Sequence, residues 1–146
     1  MTGLILKYND ITIQNEKLYP LSIFWHPQEA ILPTVKFDVL PNKFYTIIMV
    51  DKDPANKKDK YWLHWLKINV TDKDLGKDIV KYHPPAPPKA TGIHRYYLMV
   101  FSCENKIVNL KMNNNNDNRT KFNPKKFKND NNLKFAYHIM FKTSSA

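Results

Sequence analysis

Two short stretches hold most of the side chains able to bind a polar ligand or move a proton. The first is Asp51-Lys52-Asp53-Pro54, followed by Trp62-Leu63-His64-Trp65. The second runs from Pro84 to Tyr96, where a proline run passes through Gly92 into His94-Arg95-Tyr96. Each carries a histidine and each adjoins an apolar run, so the two read as facing walls of one pocket. Strand alternation puts Trp62 and His64 on one face and Leu63 and Trp65 on the other. By the same rule His94 and Tyr96 point toward a ligand, and Arg95 points toward a structural carboxylate or solvent. Histidine N–H groups, the Tyr96 hydroxyl and backbone N–H groups are donors suited to anionic oxygens. Asp51 reads either as a turn aspartate or as the acceptor that orients a histidine and favours its charged form. The second reading predicts stronger anion binding at mildly acidic pH.

The elements that must position these groups are strands. Ile11–Ile13 and Leu21–Phe24 alternate like short half-buried strands, and Val35–Val39 alternates cleanly. Phe44–Val50 is nearly all apolar, as a central strand covered on both faces would be. Leu63–Val70, Tyr96–Phe101 and Phe135–Phe141 supply further strands. Helical patterning is weak: Asp74–Val80 is one short candidate and Pro124–Lys128 another, the latter with Asn123 as N-cap and Pro124 at the first helical position. Pro87 and Pro88 fix the second loop in an extended form before a ligand arrives. Gly92 supplies a conformation or a close approach that a Cβ would hinder. Read in isolation, the proline run also resembles a polyproline ligand for an SH3 or WW partner. The expected fold is a mostly β, mostly antiparallel single domain over 1–146 with minor helix. Residues 113–132, Asn-rich at the start, read as a flexible surface loop, with Phe122 and Phe127 pinning it back.

Composition narrows the function classes. A chain of 146 residues with 42% hydrophobic residues builds one substantial core. No apolar run approaches the roughly 18 residues of a membrane span, and the first ten residues lack the pattern of a signal peptide. The single cysteine, Cys103, reads as a small buried hydrophobe in a reducing compartment. A cytoplasmic location is therefore expected. The net charge of +10 attracts anions, whether phosphates, acidic lipids, nucleic acid or acidic proteins. Part of it reflects the Asn and Lys bias of an A+T-rich genome, a viral or parasite one among them. There is no Gly-x-Ser-x-Gly, no P-loop, no Cys-x-x-Cys and no His-x-x-x-His, so no metal or other cofactor is expected.

The residues together resemble one family. Ile47-Ile48-Met49-Val50-Asp51-Lys52-Asp53-Pro54-Ala55 is similar to the Asp-Pro-Asp-Ala-Pro loop of the phosphatidylethanolamine-binding proteins, also called Raf kinase inhibitor proteins. Trp62-Leu63-His64-Trp65 matches the aromatic-x-His-aromatic element that follows it. Ala86-Pro87-Pro88-Lys89-Ala90-Thr91-Gly92-Ile93-His94-Arg95-Tyr96 resembles the second motif, Gly-x-Pro-Pro-x-Gly-x-Gly-x-His-Arg-Tyr. Leu32-Pro33-Thr34-Val35, Arg119-x-x-Phe122 and Phe127 are weaker echoes. The resemblance implies a large antiparallel sheet and an anion pocket for phosphate or phospholipid head groups. By position its lining is Asp51, Trp62, His64, Ala86, Pro87, His94 and Tyr96. It implies action by binding and protein contact, with a protein kinase or other signalling partner, and no catalysis. Lys52 replaces a motif proline, so Asp53-Pro54 competes with Asp51 as the pocket carboxylate. Ala86 and Ala90 replace glycines. The C-terminal helix common in the animal proteins is expected to be absent. Two other readings stand beside this one. A phosphoester hydrolase would use the His/Asp pocket. A nucleic-acid binder would rely on charge and show steep salt dependence, and at most non-specific binding is expected.

Overall fold

The computed structural model describes residues 3–145. Three short strands, β1 (Ile5–Tyr8), β2 (Ile11–Thr12) and β3 (Thr34–Lys36), form a small antiparallel sheet in the order β2-β1-β3. Five longer strands form the main sheet: β4 (Phe44–Asp51), β5 (Trp62–Val70), β6 (Lys77–Val80), β7 (His94–Cys103) and β8 (Lys134–Thr143). Their order is β6-β5-β4-β7-β8, every pair antiparallel. The apolar Phe44–Val50 run becomes the central strand, buried from Tyr45 through Asp51. No helix follows β8 among the described residues.

Each face of the main sheet carries its own core. On one side Met49, Leu98, Val100 and Ile139 pack with Leu6, Tyr8 and Phe24 from the small-sheet region. Phe24 and Phe141 stack at 5.3 Å, and Tyr8 meets Phe24 edge-on at 4.7 Å. Burying each such ring contributes on the order of 2 kcal/mol. On the other side Ile48, Val50, Leu63, Leu66 and Phe101 pack against Phe122, Phe127 and Leu133. Cys103 is buried there as an unpaired thiol.

The structure corrects several sequence expectations. Leu21–Phe24 is a single 3-10 turn, not a strand; it delivers Phe24 to the core without adding a ladder. Asp74–Val80 is not helical. Gly76, at φ +83°, makes a turn in which a Cβ would lie 2.6 Å from the Ile68 carbonyl oxygen, and Lys77–Val80 then pairs with β5. The alternation from Val35 to Val39 is used as strand only over Thr34–Lys36. In the segment 113–132, expected as a loop apart from a short helix at Pro124–Lys128, that helix forms as α2 (Pro124–Asp130) and a further one, α1 (Asn116–Thr120), precedes it. Asn123 caps α2 by accepting from the Lys126 amide at 3.2 Å, with Pro124 in the first turn. Phe122 and Phe127 are buried and hold the segment on the sheet.

The asparagines have a conformational use as well. Among the described residues, five of the seven non-glycine residues at positive φ are Asn9, Asn42, Asn69, Asn109 and Asn132. Asparagine tolerates this region better than most residues. A chain with only 3 glycines thus turns its corners with asparagine.

Candidate functional site

The site forms where three strand ends meet. Asp51, the last residue of β4, pairs with Trp62 at the start of β5 and with Tyr96 near the start of β7. Antiparallel pairing therefore brings both sequence stretches to one edge. A cavity of about 410 Å³ opens there. Asp51, Trp62, His64, Ala86, Pro87, His94 and Tyr96 all line it, joined by Pro54, Asp59, His83, Asn116 and Thr120.

A β-bulge shapes one wall. Met49 pairs with Trp65 but Val50 pairs with Leu63, so His64 is an extra residue in β5. Strict alternation, which placed Leu63 with Trp65, fails here. Leu63 enters the second core and Trp65 the first, while Trp62 and His64 face the cavity with ring centroids 4.6 Å apart.

The floor is a buried pair. His94 Nδ1 lies 2.7 Å from Asp51 Oδ2, and both side chains are almost wholly enclosed. Thr91 Oγ1 donates to the Pro88 carbonyl at 2.6 Å and lies 2.7 Å from His94 Nε2. A carbonyl only accepts and a hydroxyl has one proton, so Nε2–H must donate to Thr91. Both nitrogens of His94 are thus committed to the protein. Burial raises the Asp51 pKa, opposed by the hydrogen bonds from His94 and from the Asp53 amide.

The other two histidines present acceptors. His64 Nδ1–H donates to the His83 carbonyl at 2.6 Å, and burial pushes the His64 pKa down to about 3. His83 Nδ1–H donates to the Pro84 carbonyl at 2.8 Å, and burial lowers its pKa also. In each neutral ring Nε2 keeps its lone pair and has no protein partner among the described residues. The expected row of histidine N–H donors is therefore absent: His94 has none to spare, and His64 and His83 accept. Donors come from elsewhere. The Ala86 N–H finds no partner among the described residues. The Tyr96 hydroxyl is buried and meets no partner at full hydrogen-bond geometry among the described residues; burial first, then the charge and the nearby oxygen of Asp51, raise its pKa.

Asp53 takes the other role. It grips Arg95 with two bonds of 2.8 Å and accepts from the Arg95 amide at 3.0 Å. Of the two candidates Asp51 lines the cavity and Asp53 does not, and Arg95 faces a structural carboxylate. Gly92 has φ +81° with open space around it, so it serves a backbone conformation and not a close approach. Ala90 adopts φ +66° despite its methyl.

Sequence reasoning missed four contributors. His83 stands directly before the proline run and needed only its position to be noticed. Thr91 lies three residues before His94, within hydrogen-bond reach. Arg119 had appeared only as a motif echo. Its guanidinium donates to the carbonyls of Leu63, His64 and Lys81 at 2.8, 3.3 and 2.9 Å and lies 4.9 Å from the Trp62 ring centroid. Burial lowers its pKa. It ties α1 to the site, and so the Asn-rich segment forms a wall through Asn116 and Thr120. Asp59 carries no sequence signal. Among the described residues no group of three His, Cys, Asp or Glu is placed to hold a metal ion, and no helix is long and apolar enough to cross a membrane.

Comparison with known proteins bears on the family and the fold. The family model described as phosphatidylethanolamine-binding protein matches residues 10–138. A relative named putative odorant-binding protein A5, from Drosophila melanogaster, is 34% identical over 109 residues, 70% of this chain and 49% of its own length. A 26 kDa secreted antigen of Toxocara canis is 38% identical over 79 residues, 51% of this chain and 30% of its own length. The chain thus spans half or less of these curated relatives. The solved phosphatidylethanolamine-binding protein from Plasmodium vivax superposes with a TM-score of 0.77 at 18% identity, over 98% of this chain and 85% of that one.

Proposed function

The chain belongs to the phosphatidylethanolamine-binding protein family, and from that premise we propose that it is a binding protein whose cavity holds the phosphoryl end of a small ester or a phospholipid head group. The observation that carries this reading is the pairing of unfilled donors and acceptors around one 410 Å³ space. The Ala86 N–H suits a phosphoryl oxygen. The bare Nε2 atoms of His64 and His83, with the Asp59 carboxylate, suit a P–OH or an ammonium group. Phosphoethanolamine carries both kinds of group. A phosphomonoester has its second pKa near 6, so the singly charged form, with its P–OH, gains as pH falls. Stronger binding at mildly acidic pH then comes from the ligand's proton, since His64 stays neutral.

The same geometry favours binding over turnover. A general base works best with a pKa near the working pH. His64 lies far below it, at about 3, and His94 has no free nitrogen. Regulation of a protein kinase or other signalling protein by surface contact, and residence in a reducing cytoplasm suited to the free thiol of Cys103, complete the proposal. Titration calorimetry with phosphoethanolamine and with inorganic phosphate tests the pocket. Wild type binds, and His64→Ala and His94→Ala lose binding. Unchanged binding in both variants sinks the assignment.

A further inference from the structure

The small sheet leaves one edge open over a groove. The Leu6 carbonyl accepts from the Ile13 amide at 2.8 Å, on the β2 side. Backbone groups of successive strand residues point to opposite sides. Ile5 and Lys7 therefore bond to β3, and the facing residues Leu6 and Val35 exchange no bonds. The N–H and C=O of Val35 point away from β1, and neither has a partner among the described residues. The Pro33 carbonyl and the Phe37 amide, two positions to either side, are unpartnered there as well. The outer edge of β8 differs, because residues 16–19 run along it. Tyr19 N–H donates to the Lys142 carbonyl and Lys142 N–H to the Lys17 carbonyl, both at 2.9 Å.

Pro33, Val35 and Phe37 line a cavity of about 510 Å³ between this edge and the main sheet, with Ile47, Trp65 and Lys67 opposite. It shares no lining residue with the first cavity. Leu32 and Leu75 also line it, although they are 69% and 84% exposed. The charges around it are unequally engaged. Asp74 accepts from the Gly76 amide and Asp78 from Trp65 Nε1, each at 2.8 Å. Lys36 and Lys67 have no carboxylate partner among the described residues.

We propose that this groove binds an extended acidic segment of a partner protein, added along β3 as a fourth strand of the small sheet. The site is independent of the phosphoryl cavity. Main-chain bonds to Val35 dock the segment, and strand alternation sets its side-chain pattern. Val35 shares a face with buried Leu6 and packs toward the main sheet. The partner residue opposite Val35 turns the same way, onto Ile47 and Trp65, and is apolar. Its neighbour opposite Lys36 turns outward, where an aspartate or glutamate meets the Lys36 ammonium. The net charge of +10 favours such a segment at longer range. A second copy of β3 supplies no acid, since antiparallel pairing about Val35 puts Thr34 opposite Lys36.

Selection on the full chain from a phage-displayed library of random linear peptides tests the groove. Enriched sequences alternate apolar and acidic residues, and a synthetic copy shifts the Val35 and Lys67 amide resonances in NMR spectra. Val35→Pro removes the outward N–H and leaves the bonds to β1 in place, as an edge strand allows. It weakens the peptide roughly tenfold. N-methylation of the peptide residue opposite Val35 does the same with the protein unchanged, so the test stands even where the proline variant fails to fold. Lys36→Glu, at an exposed position, weakens binding severalfold, and less so in high salt. The proposal is overturned if no peptide is enriched, if binding survives both Val35→Pro and N-methylation, or if the shifts fall only around His64. Self-association of the free chain that Val35→Pro abolishes also overturns it, because a second copy then fills the edge.

Discussion

An aspartate–histidine pair and an aspartate–arginine pair lie side by side where β4 ends and β7 begins, and they behave as opposites. Asp51 meets His94 in the interior, where the side chains are 7% and 1% exposed. Asp53 meets Arg95 outside, at 27% and 40% exposure. The sequence places both partners of one pair next to both partners of the other. Alternation separates His94 from Arg95, and β4 ends at Asp51, so Asp53 lies in the loop beyond it and meets Arg95 outside. The inner pair is a polar floor held by Thr91 as well as by itself. The outer pair is a bidentate clamp that, with the Lys52 amide bonded to the Arg95 carbonyl at 2.9 Å, fixes the loop after β4 against β7. Neighbouring sequence positions thus give a site in one case and a fastening in the other.

Breaking each pair in turn gives the largest expected contrast. Asp51→Ala leaves the buried His94 ring without its acceptor and costs about 3–5 kcal/mol. Asp53→Ala costs about 1 kcal/mol or less, because its partner remains solvated. Urea unfolding measures both, and equal losses would show that burial does not separate the pairs.

Acidification sharpens the contrast next. His64 packs over the inner region with a folded pKa of about 3 against 6.5 in the unfolded chain. The unfolded state then binds the extra proton, so this stability is fully present above pH 6.5 and is lost as pH falls toward 3. His83 acts in the same direction. The loss amounts to a few kcal/mol, read as a falling melting temperature from pH 7 to pH 4.5. His64→Gln should flatten that slope.

Salt discriminates more gently. A double-mutant cycle on Asp53 and Arg95 gives a coupling of about 0.5–1 kcal/mol that shrinks in 1 M NaCl, where the Debye length is about 3 Å. The coupling of Asp51 to His94 holds its value. The smallest effect concerns the loop that carries Thr91. Ala90 sits at φ +66°, so Ala90→Gly relieves strain and raises stability by up to about 1 kcal/mol.

Much of the scaffold is legible in the sequence. The apolar run into Asp51, the Leu63–Val70 run and the strand after His94 all form, because a period-two or fully apolar run has few other ways to bury itself. Asn123-Pro124 starts a helix because both residues meet local requirements at an N-terminus. What failed did so for tertiary reasons. Leu21–Phe24 alternates, yet a single ring, Phe24, is drawn between Tyr8 and Phe141. Asp74–Val80 yields to the open edge of β5. The asparagine-rich segment carries no core of its own and becomes ordered by Arg119, Phe122 and Phe127 reaching the sheet.

By itself the sequence brought seven lining residues to one place; Asp59, His83, Asn116 and Thr120 join them only in the fold. Antiparallel pairing of three apolar strands brings their polar ends together, and period two fixes which residues face inward. Only the tertiary structure decided what those side chains offer. The His64 bulge, the Thr91 contact to His94, and the carbonyls that claim one N–H each from His64 and His83 are long-range or loop-dependent. No spacing rule records how a proton is shared between a ring and a carbonyl. That allocation turned an expected row of donors into a site with one committed histidine and two acceptors.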